Sequence, residues 1–532
     1  MTLMHGSVTF HYPNAWLALP AFSTNKRVPP MRFLLALLAL GASLLAAEKP
    51  NIVLILADDI GYGDLGCYGA TLVKTPNLDR LRAAGCKFTD AHSSASTCTP
   101  TRRALLTGTY SWRQKEASSI MPGDAPLGIA PGTTTLPSIL KEAGYRTGAV
   151  GKWHLGLGDE KGPAWNGELK PGPLELGFDY AFLIAATGDR VPTVFFENHR
   201  VVGLDPADPI QVSYKEKIGT EPTGKENPEL LKLKHTHGHD MTIVNGIGRI
   251  GWMTGGKAAR WKDEDMADTL TGKAIDFIER EQKAPFFLYL ATHNIHVPRV
   301  PNPRFKNASQ CGIRGDAIAE LDDTVGKVLD TLDRLKLTDN TLLIFTSDNG
   351  AVNDDGYEDF DTSAHKMNGV LRGTKGTIFE GGHRVPFLAR WPGHIQAGSE
   401  SGALLASLDL PATCAALTGV TLPADAARDS INVLPALLGQ SQTGRSDFIA
   451  HNGGIVGPFS IRQGDWVFVQ GGKGNYARAN EASAGLDMSQ GGLFNLAADL
   501  AQQKNLVTVS PDKVAELKAF LAAAREKGRT RP

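Results

Sequence analysis

Cys98 opens the run Cys98-Thr99-Pro100-Thr101-Arg102, and Pro100 with the following Arg102-Arg103-Ala104-Leu105-Leu106 predicts a helix starting just after the cysteine. A helix start aims free N–H groups and positive dipole at whatever sits there, which suits a sulfate-like anion beside a nucleophile. Arg102 is expected one turn in, within reach of either. Two further groups stand out, Asp58-Asp59 and Asp348-Asn349, each at the end of an apolar run. Taken singly, each pair reads as a turn or helix cap. Brought together, three carboxylates and an amide oxygen would repel one another without a cation. A hard divalent ion relieves that, and Ca2+ tolerates such an irregular oxygen set better than Mg2+.

Basic residues recur in similar settings. Lys152 and His154 belong to Gly-Lys-Trp-His-Leu-Gly (151–156), His296 to Asn-Ile-His-Val-Pro (294–298), and Lys375 to a glycine-rich stretch, 372–382. Lys152 and His154 are two apart in what reads as extended chain, so their side chains are expected on one side. Each alone suits a solvated surface. Together they would surround one metal and one nucleophile with cations, which a sulfate or phosphate ester requires.

The elements that must deliver these groups are legible as periodicities. Residues 51–57 and 341–346 are unbroken apolar runs rich in β-branched side chains, as in strands covered on both faces. Residues 285–291, 385–391 and 145–150 read as further strands. Ile318, Leu321, Val325, Val328, Leu332 and Leu335 recur at helical steps before the strand at 341, and 269–281 precedes the strand at 286 in the same way. Strand and helix in alternation predict an α/β sheet whose ligands lie beyond the carboxyl ends of its strands. After about residue 425 the texture changes to short strands around a Gly-Asp turn and a closing helix at 515–525, a small C-terminal α+β subdomain.

The 532 residues carry 55 basic against 56 acidic side chains, a formal charge of −1, which gives no reason to expect nucleic-acid or anionic-membrane binding. Met31-Arg32 followed by the apolar stretch 33–46 has the build of a secretory signal and is too short for a stable membrane span. The organisation expected is thus an upstream extension (1–30) from a misplaced start codon, a signal peptide (31–47), a catalytic domain (48–425) and a C-terminal subdomain (426–532). The mature chain is expected to be exported, periplasmic or secreted. Five cysteines, at 67, 86, 98, 311 and 414, make no dense disulfide framework.

Six motifs in order resemble the type I sulfatases, of the arylsulfatase and polysaccharide-sulfatase kind. They are Asp-Asp-Ile-Gly-Tyr-Gly-Asp (58–64), Cys-Thr-Pro-Thr-Arg (98–102), Gly-Lys-Trp-His-Leu-Gly (151–156), His-x-Pro (296–298), Ser-Asp-Asn-Gly (347–350) and Gly-Thr-Lys-Gly-Thr-Ile-Phe-Glu-Gly-Gly (373–382). Thr101 stands where many members carry serine. A weaker match at 493–496 and 505–506 extends the likeness toward the C-terminus.

The resemblance implies an alkaline-phosphatase-like α/β sandwich with a large, mixed, mainly parallel sheet. It implies that Cys98 is converted to formylglycine by a sulfatase-maturating enzyme before folding is complete. The hydrated aldehyde would attack sulfur with one hydroxyl and help expel sulfate with the other. Asp58, Asp59, Asp348 and Asn349, with the modified Cys98, would bind Ca2+. Arg102 and Lys152 would stabilise the modified residue, and His154 would take the proton that lets sulfate leave. His296 and Lys375 would hold the sulfate and protonate the departing alcohol oxygen.

A sulfated carbohydrate is the substrate expected from the resemblance. The loops expected to read it are 185–190, with Asp189 and Arg190, then 197–199, and 234–239, with His237 and His239. The histidines at 235, 237 and 239 also admit a second metal site or an ordinary polar loop. Two other functions remain open from sequence: a phosphodiester or phosphonate hydrolase of the same superfamily, and a secreted binding protein that keeps the fold without catalysis.

Overall fold

The computed structural model describes residues 49–471 and 482–532, with residues 9 and 11 upstream. The expected signal peptide and upstream extension otherwise lie outside the described residues. The elements that matter here are β1 (Asn51–Ala57), α1 (Cys98–Thr107), β2 (Arg146–Lys152), β3 (Tyr180–Ile184), α2 (Met266–Glu281), β4 (Phe286–Ala291), α3 (Gly312–Arg334) and β5 (Thr341–Ser347).

Alternation within β1 shows how the sheet is covered. Ile52, Leu54 and Leu56 face one apolar core with Leu105 and Leu106 of α1, while Val53, Ile55 and Ala57 face another with α2 and α3. A strand apolar on both sides has no solvent face to offer, so it sits mid-sheet with helices above and below. Five strands run parallel in the order β5-β1-β4-β2-β3. Antiparallel Phe387–Arg390 borders β5, followed by Cys86–Phe88 and Ser399–Ser401; Phe195–Glu197 and Arg200–Val201 finish the other edge of this ten-stranded sheet.

Register decides what meets at the top. Ala57 pairs with Ser347, Leu56 with Ala291, and Ala291 with Gly151. The carboxyl ends of β1, β5, β4 and β2 are therefore level, and the residues just past them emerge side by side. Gly151 is required for this: its φ is +114°, and a Cβ there would strike the Ala291 carbonyl.

The last strands, Asp447–His451, Phe459–Gln463, Trp466–Val469 and Gly492–Asn495, form a four-stranded antiparallel sheet. Phe448, Phe459, Ile461 and Phe468 pack with Leu517 and Leu521 of the closing helix, Pro511–Glu526, and with Ala104, Tyr110 and Trp112. The first of these strands grips the approach to α1. Ser96 donates its N–H to the His451 carbonyl (2.9 Å), and the Thr97 hydroxyl donates to Asn452 (2.9 Å).

Asp64 fastens the loop after β1 to α3. Arg314 donates two hydrogen bonds to its carboxylate (both 2.6 Å), and His365 Nε2 lies 2.8 Å away. Burial works against the charged form of Asp64, but Arg314 and His365 outweigh it and hold the carboxyl below its usual range. Removing one partner strands a buried charge, so Arg314→Ala should destabilise the fold by about 3–5 kcal/mol. Urea unfolding of the two proteins measures it.

Candidate active site

The helix predicted at Cys98 begins at Cys98 itself, with Thr97 as its extended cap. The thiol is 1% exposed, and its Sγ lies 3.3 Å from His154 Nδ1. His154 Nε2 is 2.9 Å from the Met121 carbonyl, which can only accept. The proton of the neutral ring must therefore sit on Nε2, leaving the Nδ1 lone pair aimed at position 98. Burial, with Lys152 and Arg190 nearby, pushes His154 well below the ordinary imidazole value. The ring is thereby held neutral, with one lone pair free toward position 98.

The expectation of Lys152 and His154 on one side of an extended segment is not met. β2 ends at Lys152, and the chain turns at His154 with φ +56°. Trp153 and His154 still donate N–H groups to Ile184 and Ala185, which anchors the turn on β3. Lys152 consequently reaches back to the sheet while the His154 ring swings to α1.

The four expected oxygen ligands meet as the strand ends require, and all four are fully buried. Lys152 Nζ is 2.5 Å from Asp58, and Arg102 donates to Asp348 through Nε (2.9 Å) with Nη2 at 2.8 Å. Lys375 Nζ stands 2.8 Å from Asp59 and 2.7 Å from Asp355, and Asn349 Nδ2 donates to Asp59 (2.7 Å). Burial first, then Asp348 and Asp59, push the Asp58 carboxyl up to about 8 against the pull of Lys152 and Arg102. The Oδ1 atoms of Asp58 and Asn349 are buried without a hydrogen-bond partner. A buried Asp58 carboxyl held above its ordinary range, beside two oxygens left unsatisfied, fits a hard divalent cation.

His296 completes the group; one ligand atom each from His296, Asp58 and Asp59 lies within 4.8 Å of the others. Its Nδ1 donates to the Val297 carbonyl (2.9 Å), which leaves Nε2 as the working atom, 4.0 Å from Asp59 and 3.8 Å from Asp355. Burial, Lys375 and Lys152 hold this ring too well below its ordinary value. A second buried group, His92, Glu380 and His383, is tied to Asp90, Arg384 and Arg462, so its charges are already compensated.

A sulfatase family model matches residues 50–420. The chain belongs to the sulfatase family. It is 48% identical over 485 residues to an N-acetylgalactosamine-6-O-sulfatase of Bacteroides thetaiotaomicron, covering 90% of this chain and 94% of that protein. It is 35% identical over 483 residues to human arylsulfatase A, covering 88% and 86%. A structure solved in work on glycosaminoglycan metabolism by B. thetaiotaomicron superposes with a TM-score of 0.87 at 47% identity, covering 90% of this chain and all of that one. This sulfatase is accordingly a sulfuric ester hydrolase, and its fold is the alkaline-phosphatase-like sandwich that the motifs implied.

The residues expected to read the substrate fall into two sets. Arg190 Nη1 donates to Thr187 (2.7 Å) and Asp189 (3.1 Å), and Asp189 Oδ2 lies 3.0 Å from His239 Nε2. His237 stays exposed; its ring meets Thr236, and it contributes only its carbonyl, 2.7 Å from His239 Nδ1. Loop 197–199 closes a hairpin: Glu197 accepts from Tyr180, Asn198 accepts from Ala181, and His199 faces Glu175. The sulfatase also uses groups the sequence reading passed over. Asp355 clamps Lys375, and its loop pairs with the histidine loop through Thr236 to Gly356 and Glu358 to Lys234. The only sequence trace of it is the Asp-Asp-Gly run 354–356, which begins six residues after Asp348.

His239 has an acceptor at each ring nitrogen, which favours the doubly protonated form. Burial opposes this, but Asp189 and the His237 carbonyl prevail and raise its pKa above 6.5. A raised pKa stabilises the fold fully below the unfolded value and ceases to do so as pH climbs through the folded one. The stability difference between wild type and His239→Gln should thus be largest near pH 6 and shrink at higher pH. Thermal melts across pH 5.5–9 check it.

Proposed function

We propose that this sulfatase removes the 6-O-sulfate from N-acetylgalactosamine units of a sulfated carbohydrate, with formylglycine made from Cys98 as nucleophile and Ca2+ held by Asp58, Asp59, Asp348 and Asn349. The sugar and position rest on the 48% identical relative. The observation that carries the chemistry is the bare Nδ1 of His154 facing position 98 at a helix N-terminus. Burial pushes the Cys98 thiol up although Lys152 and Lys375 pull it down, so the thiol as it stands is a poor nucleophile. Conversion to a hydrated aldehyde would supply two hydroxyls on one carbon, one to attack sulfur and one to give up a proton. The cation would neutralise the buried carboxylates and draw charge from the sulfate oxygens.

The remaining work falls to side chains. Arg102 and Lys152 lock Asp348 and Asp58 in place beside position 98. His154 Nδ1 accepts the proton from the second hydroxyl, and its Nε2–H stays on Met121 throughout. As the ester S–O bond breaks, the departing alcohol oxygen needs a proton, which His296 delivers from Nε2. That ring is neutral in the free enzyme, and an anionic substrate beside it favours the protonated form. Lys375, held by Asp59 and Asp355, presents a fixed positive charge to the same oxygens. Asp189, Arg190 and His239 face the sugar.

We propose export as well, from the signal-like segment 31–47; among the described residues no helix is long and apolar enough to cross a membrane. Formylglycine requires a sulfatase-maturating enzyme as partner.

Peptide mass spectrometry of active protein should find an aldehyde at position 98, elemental analysis one divalent ion per chain, and assays release of sulfate from N-acetylgalactosamine 6-sulfate but not from the 4-sulfate. Activity with an intact Cys98 thiol would refute the mechanism; release from the 4-sulfate alone would refute the specificity. His296→Ala should slow a sugar sulfate by about 10^2–10^4 and an activated nitrophenyl sulfate far less, because a nitrophenolate leaves without a proton. Equal losses on the two substrates would remove His296 from the acid role.

A further inference from the structure

Arg103, one residue beyond Arg102, lies about 100° round the same helix and points away from the carboxylate cluster. It is 2% exposed, yet its Nε and Nη1 find no acceptor, and it forms no ion pair among the described residues. Burial pulls its pKa down to about 10, with only the field of Glu116 opposing. A buried charge without a partner is costly and is ordinarily paired or hydrogen-bonded.

Arg103 is among the residues that line a cavity of about 240 Å³ between the C-terminal half of α1 and residues 425–428. Arg113, Arg428, Thr107 and Thr109 share the lining, with Asp425 as its one carboxylate. Arg113 is already spent on Asp429, through bonds of 2.7 Å to both oxygens. The Arg428 Nε is occupied by the Asp425 carbonyl (3.1 Å), and no carboxylate pairs with this guanidinium among the described residues. Positive charge therefore exceeds negative around a polar space, with threonine hydroxyls to complete a hydrogen-bonding shell. The volume is below the range of pockets that enclose whole small molecules, which suits a single tetrahedral or planar oxyanion with its waters.

We propose that this cavity is a second anion site, distinct from the catalytic one, in which Arg103 binds a sulfate-type oxyanion. Such a group has two sources in this setting: inorganic sulfate released by the reaction, or a charged substituent further along a polyanionic glycan.

Selenate, an isostere of sulfate with an anomalous signal, tests the site directly. Crystals of the mature enzyme soaked in sodium selenate should show one anomalous peak at Cys98 and another within hydrogen-bond reach of Arg103. Arg103→Gln should abolish the second peak and keep the first, and titration should show the second site weakened about ten- to a hundredfold. Should Arg103→Gln fail to fold, Arg428→Ala is read in the same way. Absence of a peak at Arg103 when the Cys98 site is filled would overturn the proposal, as would a peak that survives Arg103→Gln. Kinetics separate the sources: a glycan-borne anion makes Arg103→Gln raise KM for long chains and leave KM for the monosaccharide, whereas free sulfate leaves both unchanged. The selenate result stands whether or not the glycan assignment does.

Discussion

Everything at this site depends on compensating three carboxylates that the sheet forces together. Once Ala57 pairs with Ser347, Asp58 and Asp348 have nowhere else to go, and they are fully buried. Bringing such charges into a low-dielectric interior is unfavourable unless opposite charge arrives with them. Lys152, Arg102 and Lys375 come from three different segments to meet that demand, which is why a strand end, a helix and a glycine-rich loop converge here. The catalytic geometry is in this sense a by-product of electrostatic necessity. A cation added to the cluster would free the lysines from charge neutralisation and leave them to face an anionic ligand.

Much of this was legible from sequence because parallel strands write themselves plainly. Unbroken apolar runs ending in Asp58-Asp59 and Asp348-Asn349 state both the strand and its loaded end, and β1 covers the residues the pattern names. Lys152, His154 and His296 could be assigned to the site because their motifs follow strands of the same sheet, whereas Arg102 and Lys375 were reached through the family motifs that hold them. Main-chain contributions were not legible. The Met121 carbonyl fixes the tautomer of His154, but a carbonyl has no letter in the sequence. The positive φ of His154 was equally hidden, since nothing in a histidine announces a left-handed turn. Asp355 escaped for another reason: its partner Lys375 is set by loop docking, and docking between irregular segments leaves no periodicity.

The loops expected to read the substrate follow the same division. Asp189 and Arg190, expected in a specificity loop at 185–190, lie together with His239. His237, chosen for its spacing, turns its ring outward, and only its carbonyl takes part. Alternate residues in a loop share no face, because the backbone there has no fixed pitch.

The hold of His451 and Asn452 on Ser96 and Thr97 has a consequence in time. The bonds that close the approach to α1 come from a strand near the far end of the chain. While a ribosome is still making that strand, residue 98 cannot be shut away in its final surroundings. At roughly 5–20 residues per second, the delay is on the order of a minute. Any enzyme that must reach the side chain at 98 works against that clock, and a variant with a loosened C-terminal sheet would lengthen the period of access while weakening the finished site.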